Sequence, residues 1–101
     1  MNTNFVVEMH IGMGTPETSV VSRVTAESPE RAVALVRIQA RPFAAAVPGD
    51  APIWEWIELG HQQAIGELGA GAAVAVGFDI GENHLEWRVQ PVLAAQAEPT
   101  N

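Results

Sequence analysis

Apolar residues recur at every second position near both ends of this chain and at every third or fourth position between them. Phe5, Val7, Met9 and Ile11 alternate with Val6, Glu8 and His10, the period-two pattern of a strand with one apolar face. Gly12, Gly14 and Pro16 are expected to break it. A second strand is expected over about Thr18–Ala26, with Val20, Val24 and Ala26 on one face and Ser19, Val21, Arg23 and Thr25 on the other. The two then form a hairpin around a loose, glycine-rich loop. Toward the other end, Ala72, Val74, Val76, Phe78 and Ile80 make the apolar face of a third strand, and Leu85, Trp87 and Val89 that of a fourth. Antiparallel partners share a face. The expected register therefore pairs Ile80 with Leu85, Phe78 with Trp87 and Val76 with Val89. It sets Asp79 opposite Glu86, with Arg88 placed to neutralise the like-charged pair.

The middle of the chain reads as two helices. Ser28 is a good N-cap, Pro29 suits a first helical position, and Glu30 complements the helix dipole there. Ala32, Val33, Val36 and Ala40 then share one helical face, with Glu30, Arg37 and Arg41 beside it and Ala34 and Ile38 opposite. The stretch RPFAAAVPGDAP reads as a linker with Phe43 tucked into the core. A second helix is expected from a cap at Asp50 to about Leu68, with Ile53, Ile57, Ala64 and Leu68 inward and Glu55, Glu58, Gln62 and Gln63 outward. Gly60 and Gly66 weaken it, each by about 1 kcal/mol relative to Ala. Gly69–Gly71 end it.

These elements predict a two-layer α+β fold of order ββααββ: a four-stranded antiparallel sheet with both helices on one face. With 101 residues, the expectation is one domain over 1–92 and a flexible tail over 93–101. There is no cysteine, so neither a disulfide framework nor a thiolate metal site is available. No secretory leader fits the N-terminus and no apolar run is long enough to span a bilayer. A cytoplasmic protein without membrane attachment is the expectation.

Charge is distributed unevenly. Residues 1–45 hold four acids and four Arg, whereas residues 46–101 hold eight acids and Arg88 alone, and the chain has no Lys. A nucleic-acid binder needs a basic stripe to release counterions from phosphates, so direct DNA or RNA binding is not expected. A field of this sign steers the C-terminal half toward a basic partner.

Each of the three histidines has a glutamate close by: Glu8 with His10, Glu58 with His61, and His84 with Glu86. Histidine and carboxylate at such spacings suit zinc or non-haem iron. Were the first and last strands adjacent, Glu8, His10, His84 and Glu86 would be the metal candidates on the open sheet face. His61 falls on the apolar side of its helix, where a half-buried histidine bonded to backbone is expected. GMGTPE lacks the third glycine of a dinucleotide fingerprint, and GELGAGAA lacks the Lys-Ser/Thr of a phosphate loop. The sequence therefore assigns no catalytic residue and no cofactor, and it leans away from an enzyme. Trp56 and Leu59 stand off the apolar face of the second helix and, with Ile38, form a candidate contact patch ringed by Glu55 and Glu58.

The leading expectation is a small acidic, non-enzymatic protein-interaction module that occupies a basic, nucleic-acid-binding surface of a partner protein, as phage anti-defence proteins do. The analogy is one of composition. Asp79, Glu82 and Glu86 are its candidate partner-binding residues, with Glu55, Glu58 and Trp56 as a second patch. One rival is a small dimeric α+β enzyme or metal-binding protein using the His/Glu pairs. Another is a homo-oligomeric structural subunit, a homodimer for instance, packing through Ile38, Trp56 or a free sheet edge.

Overall fold

Alternation and helical spacing produce the expected elements. The computed structural model describes residues 3–13 and 17–93. Strands β1 (Thr3–Met13) and β2 (Ser19–Ala26) are followed by helix α1 (Pro29–Ala44). A second helical stretch follows: α2 (Pro52–Glu55), a π-helical turn (Trp56–Gly60) and α3 (His61–Gly69). Strands β3 (Val74–Ile80) and β4 (Asn83–Leu93) complete the order. The four strands form one antiparallel sheet in the order β2-β1-β4-β3. The fold is α+β, with two central strands drawn from opposite ends of the chain. Residues 14–16 of the glycine-rich loop and 94–101 of the expected tail lie outside the described residues, and residue 93, expected to open that tail, instead ends β4.

One sheet face meets the helices. Phe5, Val7 and Met9 of β1 align with Val89 and Trp87 of β4 and with Ala26 and Val24 of β2. Beneath Ala32, Val33, Val36 and Ala40 of α1, and Ile53, Ile57, Ala64 and Leu68 of the second helical stretch, they form the buried core. Trp87 lies at its centre, 0% exposed. The rings of Phe43 and Phe78 each stand 6.3 Å from it. Its Nε1 donates to Gln39 Oε1 at 2.9 Å, and Gln39 Nε2 donates to Ser22 Oγ at 3.2 Å. That relay satisfies the buried indole N–H and ties β4, α1 and β2 together.

Four details differ from the expected pattern. First, β1 runs through Gly12 to Met13, because β4 supplies a partner along its whole length, Gly12 facing His84. Second, Val20 does not join Val24 and Ala26. Met9 pairs with Ser22 and His10 with Val20, so Val21 is an extra residue, and this bulge turns Val20 onto the open face. Third, Arg41–Ala44 extend α1 rather than opening a linker. Pro42 lies in the last turn, where its missing N–H costs only one late bond, and Phe43 and Ala44 gain burial. Fourth, the second helix is capped at Ala51 rather than Asp50 and makes no side-chain cap bond. At Ser28 the expectation holds: its Oγ accepts from Arg31 N–H at 3.1 Å.

The π turn coincides with a side-chain tie from α1. Arg37 Nε of α1 donates to the Ile57 carbonyl at 2.9 Å, and the His61 N–H reaches back five residues to the Trp56 carbonyl. Backbone angles stay right-handed helical across both junctions. Gly60 accommodates the turn, since a Cβ there would lie 3.0 Å from Trp56 Cδ1. No described helix is long and apolar enough to cross a membrane.

Candidate functional site

The β3–β4 hairpin and the groove beside it hold most of the candidate residues. Ile80 pairs with Asn83 around a two-residue Gly81-Glu82 turn. Gly81 has φ +62° and, among the described residues, no non-glycine residue has positive φ, which matches a type II′ turn with glycine first. The register is therefore two residues away from expectation: Phe78 faces Leu85, Val76 faces Trp87, and Asp79 faces His84. A glycine at the first turn position closes the hairpin more tightly than side-chain matching alone indicates.

This shift removes the expected conflict between Asp79 and Glu86. Asp79 Oδ1 bonds His84 Nδ1 at 2.7 Å. The imidazole lies over Gly77, where a Cβ would come within 3.2 Å of His84 Cε1. Glu86 faces Gly77 on β3 and His10 on β1, and it accepts from Arg88 Nη2 at 3.0 Å.

The hydrogen bond and charge of Arg88 hold the Glu86 carboxyl below its ordinary value of 4.5, against partial desolvation, with smaller contributions from His10 and His84. A lowered carboxylate pKa stabilises the fold above the unfolded value, and that stability is lost as pH falls through the folded one. Arg88→Ala should therefore raise the Glu86 titration midpoint, read by carboxyl-carbon NMR. Its stability deficit relative to wild type should be present at neutral pH and fade as pH drops below 4.5. An unchanged midpoint would sink this assignment.

β1 and β4 are neighbours, so Glu8, His10, His84 and Glu86 do share the open face. Their side chains find separate partners. His10, only 6% exposed, bonds Glu8 through Nε2 at 3.2 Å, and Arg23 also reaches Glu8 at 3.3 Å. His84 turns away from β1 toward Asp79, and Glu86 is held by Arg88. Among the described residues, no three or more His, Asp or Glu side chains are grouped to hold a metal ion.

The second patch is split by the π turn. Glu55, Glu58 and Leu59 are exposed, but Trp56 is half-buried and packs against the core. Its ring meets His61 edge-on, with centroids 6.5 Å apart. His61 does not make the expected backbone bond; its Nδ1 is buried and has no hydrogen-bond partner.

A feature invisible in the sequence lies along β3. Val47, Ala51, Pro52 and Ile53 face Phe78 and Ile80 across an apolar groove of about 270 Å³, in which Asp79 is the only charged lining residue. Asp50, Glu55 and Glu82 stand within two residues of that lining in the chain. Nothing local in PGDAP signals the groove, because it exists only once the α1–α2 connection packs beside an edge strand.

The chain matches no family model, no curated protein and no solved structure. Between Arg41 and Arg88 the sequence has seven acids and no Lys or Arg. Six of the seven, Asp50, Glu55, Glu58, Glu67, Asp79 and Glu82, are exposed. Among the described residues the only ion pair these seven make with an Arg is Glu86–Arg88, and Asp79 is hydrogen-bonded to His84.

Proposed function

We propose that the protein is a non-enzymatic interaction module that binds a basic surface of another protein, through Asp79 and Glu82 on the hairpin and Glu55 and Glu58 on the helical layer. The supporting observation is the run of exposed acids between Arg41 and Arg88, uncompensated by any Arg or Lys. Such a field attracts cationic partners and disfavours polyanions. Glu86 belongs to the same face but is half-buried and engaged by Arg88, whereas Asp79, although bonded to His84, stays exposed, so the part of Glu86 is to position Arg88 rather than to meet the partner. Trp56 is half-buried and packs against the core, so it is secondary to the acids.

The test is affinity capture with immobilised wild type beside Glu82→Arg and Glu55→Arg. These positions are exposed, so the substitutions should move stability by no more than about 0.5 kcal/mol. The expected result is a partner retained by wild type, released in about 0.5 M salt, rebound on dilution, and lost with the reversed charges. Identical capture by all three proteins at both salt levels would reject the reading.

A further inference from the structure

We infer that the partner is engaged as an extended basic segment that adds to the β3 edge as a fifth strand, its apolar side chains seated in the Val47–Phe78 groove. This rests on the acidic-surface reading and specifies its geometry. Antiparallel ladders alternate residues that bond the partner strand with residues that face away. The two-residue turn makes Ile80–Asn83 a bonded pair. Ile80, Phe78, Val76 and Val74 thus direct their backbone groups to β4, and Ala75, Gly77 and Asp79 turn theirs to the free side. Among the described residues no strand pairs with that side, and no backbone bond joins it to the loop between α1 and α2.

Natural edges are usually guarded by bulges, Lys or Pro. The β2 edge has the Val21 bulge and Arg23. The β3 edge has an unbroken register, neither Lys nor Pro, and the single charge of Asp79.

The two faces of β3 specify the ligand's alternation. Toward the helices, Phe78 and Ile80 with Val47, Ala51 and Ile53 offer an apolar trough to every second side chain. Toward the open face, Ala75 is small, Gly77 lies beneath the His84 imidazole, and Asp79, bonded to His84 through Oδ1, remains exposed, so the intervening side chains meet a carboxylate. Strand addition draws affinity from main-chain bonds and specificity from such alternate pockets. A ligand alternating apolar and basic residues fits. A second copy of this chain would bring an identical edge with no Arg or Lys between Arg41 and Arg88 to meet Asp79.

The probe is a synthetic acetylated peptide alternating Val and Lys, titrated by calorimetry at about 0.1 M salt. Two controls have the same side chains but are N-methylated on one or the other alternating set of backbone nitrogens. Because the Val/Lys alternation fixes which way the strand lies, one methylated set should be tolerated and the other should weaken binding by about tenfold or more. Ala75→Pro removes an outward N–H from an edge position that can accept proline and should weaken the unmethylated peptide similarly. Asp79→Asn, which leaves the edge open, should weaken it less. Amide exchange at Ala75, Gly77 and Asp79 should slow on binding.

Equal binding of all three peptides, with Ala75→Pro neutral, overturns strand addition and leaves the acidic-surface reading standing. Failure of every basic peptide to bind overturns both. A dimer in solution that Ala75→Pro converts to monomer overturns the inference in favour of self-pairing.

Discussion

Trp87→Ala should lower the free energy of unfolding by about 3–5 kcal/mol, a large part of the roughly 5–15 kcal/mol that holds a typical domain. Three losses coincide at this residue. Its side chain is 0% exposed, so truncation leaves a cavity bounded by Phe43 and Phe78. The two edge and tilted ring contacts at 6.3 Å disappear with it. Gln39 Oε1 loses its 2.9 Å donor, leaving a part-buried amide tethered only to Ser22. Trp87→Phe helps to separate the terms, since it keeps one aromatic ring in the core but removes the N–H together with the fused five-membered ring. It should cost less than half as much. Urea denaturation followed by far-UV circular dichroism reads both, and a loss below about 1 kcal/mol for Trp87→Ala would mean that the sheet and helices are not joined through this ring.

Ile57→Ala is expected to cost about 2–5 kcal/mol. Ile57 is 1% exposed and sits in the π turn, where α1 and the second helical stretch are tied by Arg37. Arg37→Met keeps the aliphatic stem and removes the bond to the Ile57 carbonyl, which should cost about 1–3 kcal/mol. The ordering of the two variants distinguishes packing from the polar tie as the main constraint on the helical layer. Glu58→Ala, one residue along and exposed, should fall within about 0.5 kcal/mol of wild type. Any effect of that change on partner binding is then not a folding effect. Equal losses at Ile57 and Glu58 would reject this account of the layer.

Strand and helix identity were legible because each apolar residue served one periodicity. Phe5, Val7 and Met9 could only alternate, and Ala32, Val33, Val36 and Ala40 could only line a helix. The two hairpins were legible as well, whereas the β1–β4 pairing that joins them into one sheet stood in the sequence only as a condition. What the sequence concealed were single-residue departures from period. The Val21 bulge reverses Val20, the Gly81-Glu82 turn shifts the hairpin by two residues, and the π turn coincides with a carbonyl claimed by Arg37. Each depends on a partner distant in the chain or on turn geometry, and none alters the local apolar count.

The candidate site was legible to the same degree. Its acids are where composition put them, on exposed positions of the C-terminal half. The pairing of Asp79 with His84 instead of Glu86 followed from the register shift, and the groove along β3 from loop packing with no local signature.

The unequal edges of the sheet have a consequence for stoichiometry. A sheet open at both margins can grow indefinitely, each added strand exposing a new margin for the next molecule. Here the β2 margin is guarded by the Val21 bulge and Arg23, whereas β3 carries no such guard. If strands add to β3 as proposed, each molecule contributes one open margin to a complex, and further growth would rest on the outer edge of the ligand rather than on a second edge of this chain.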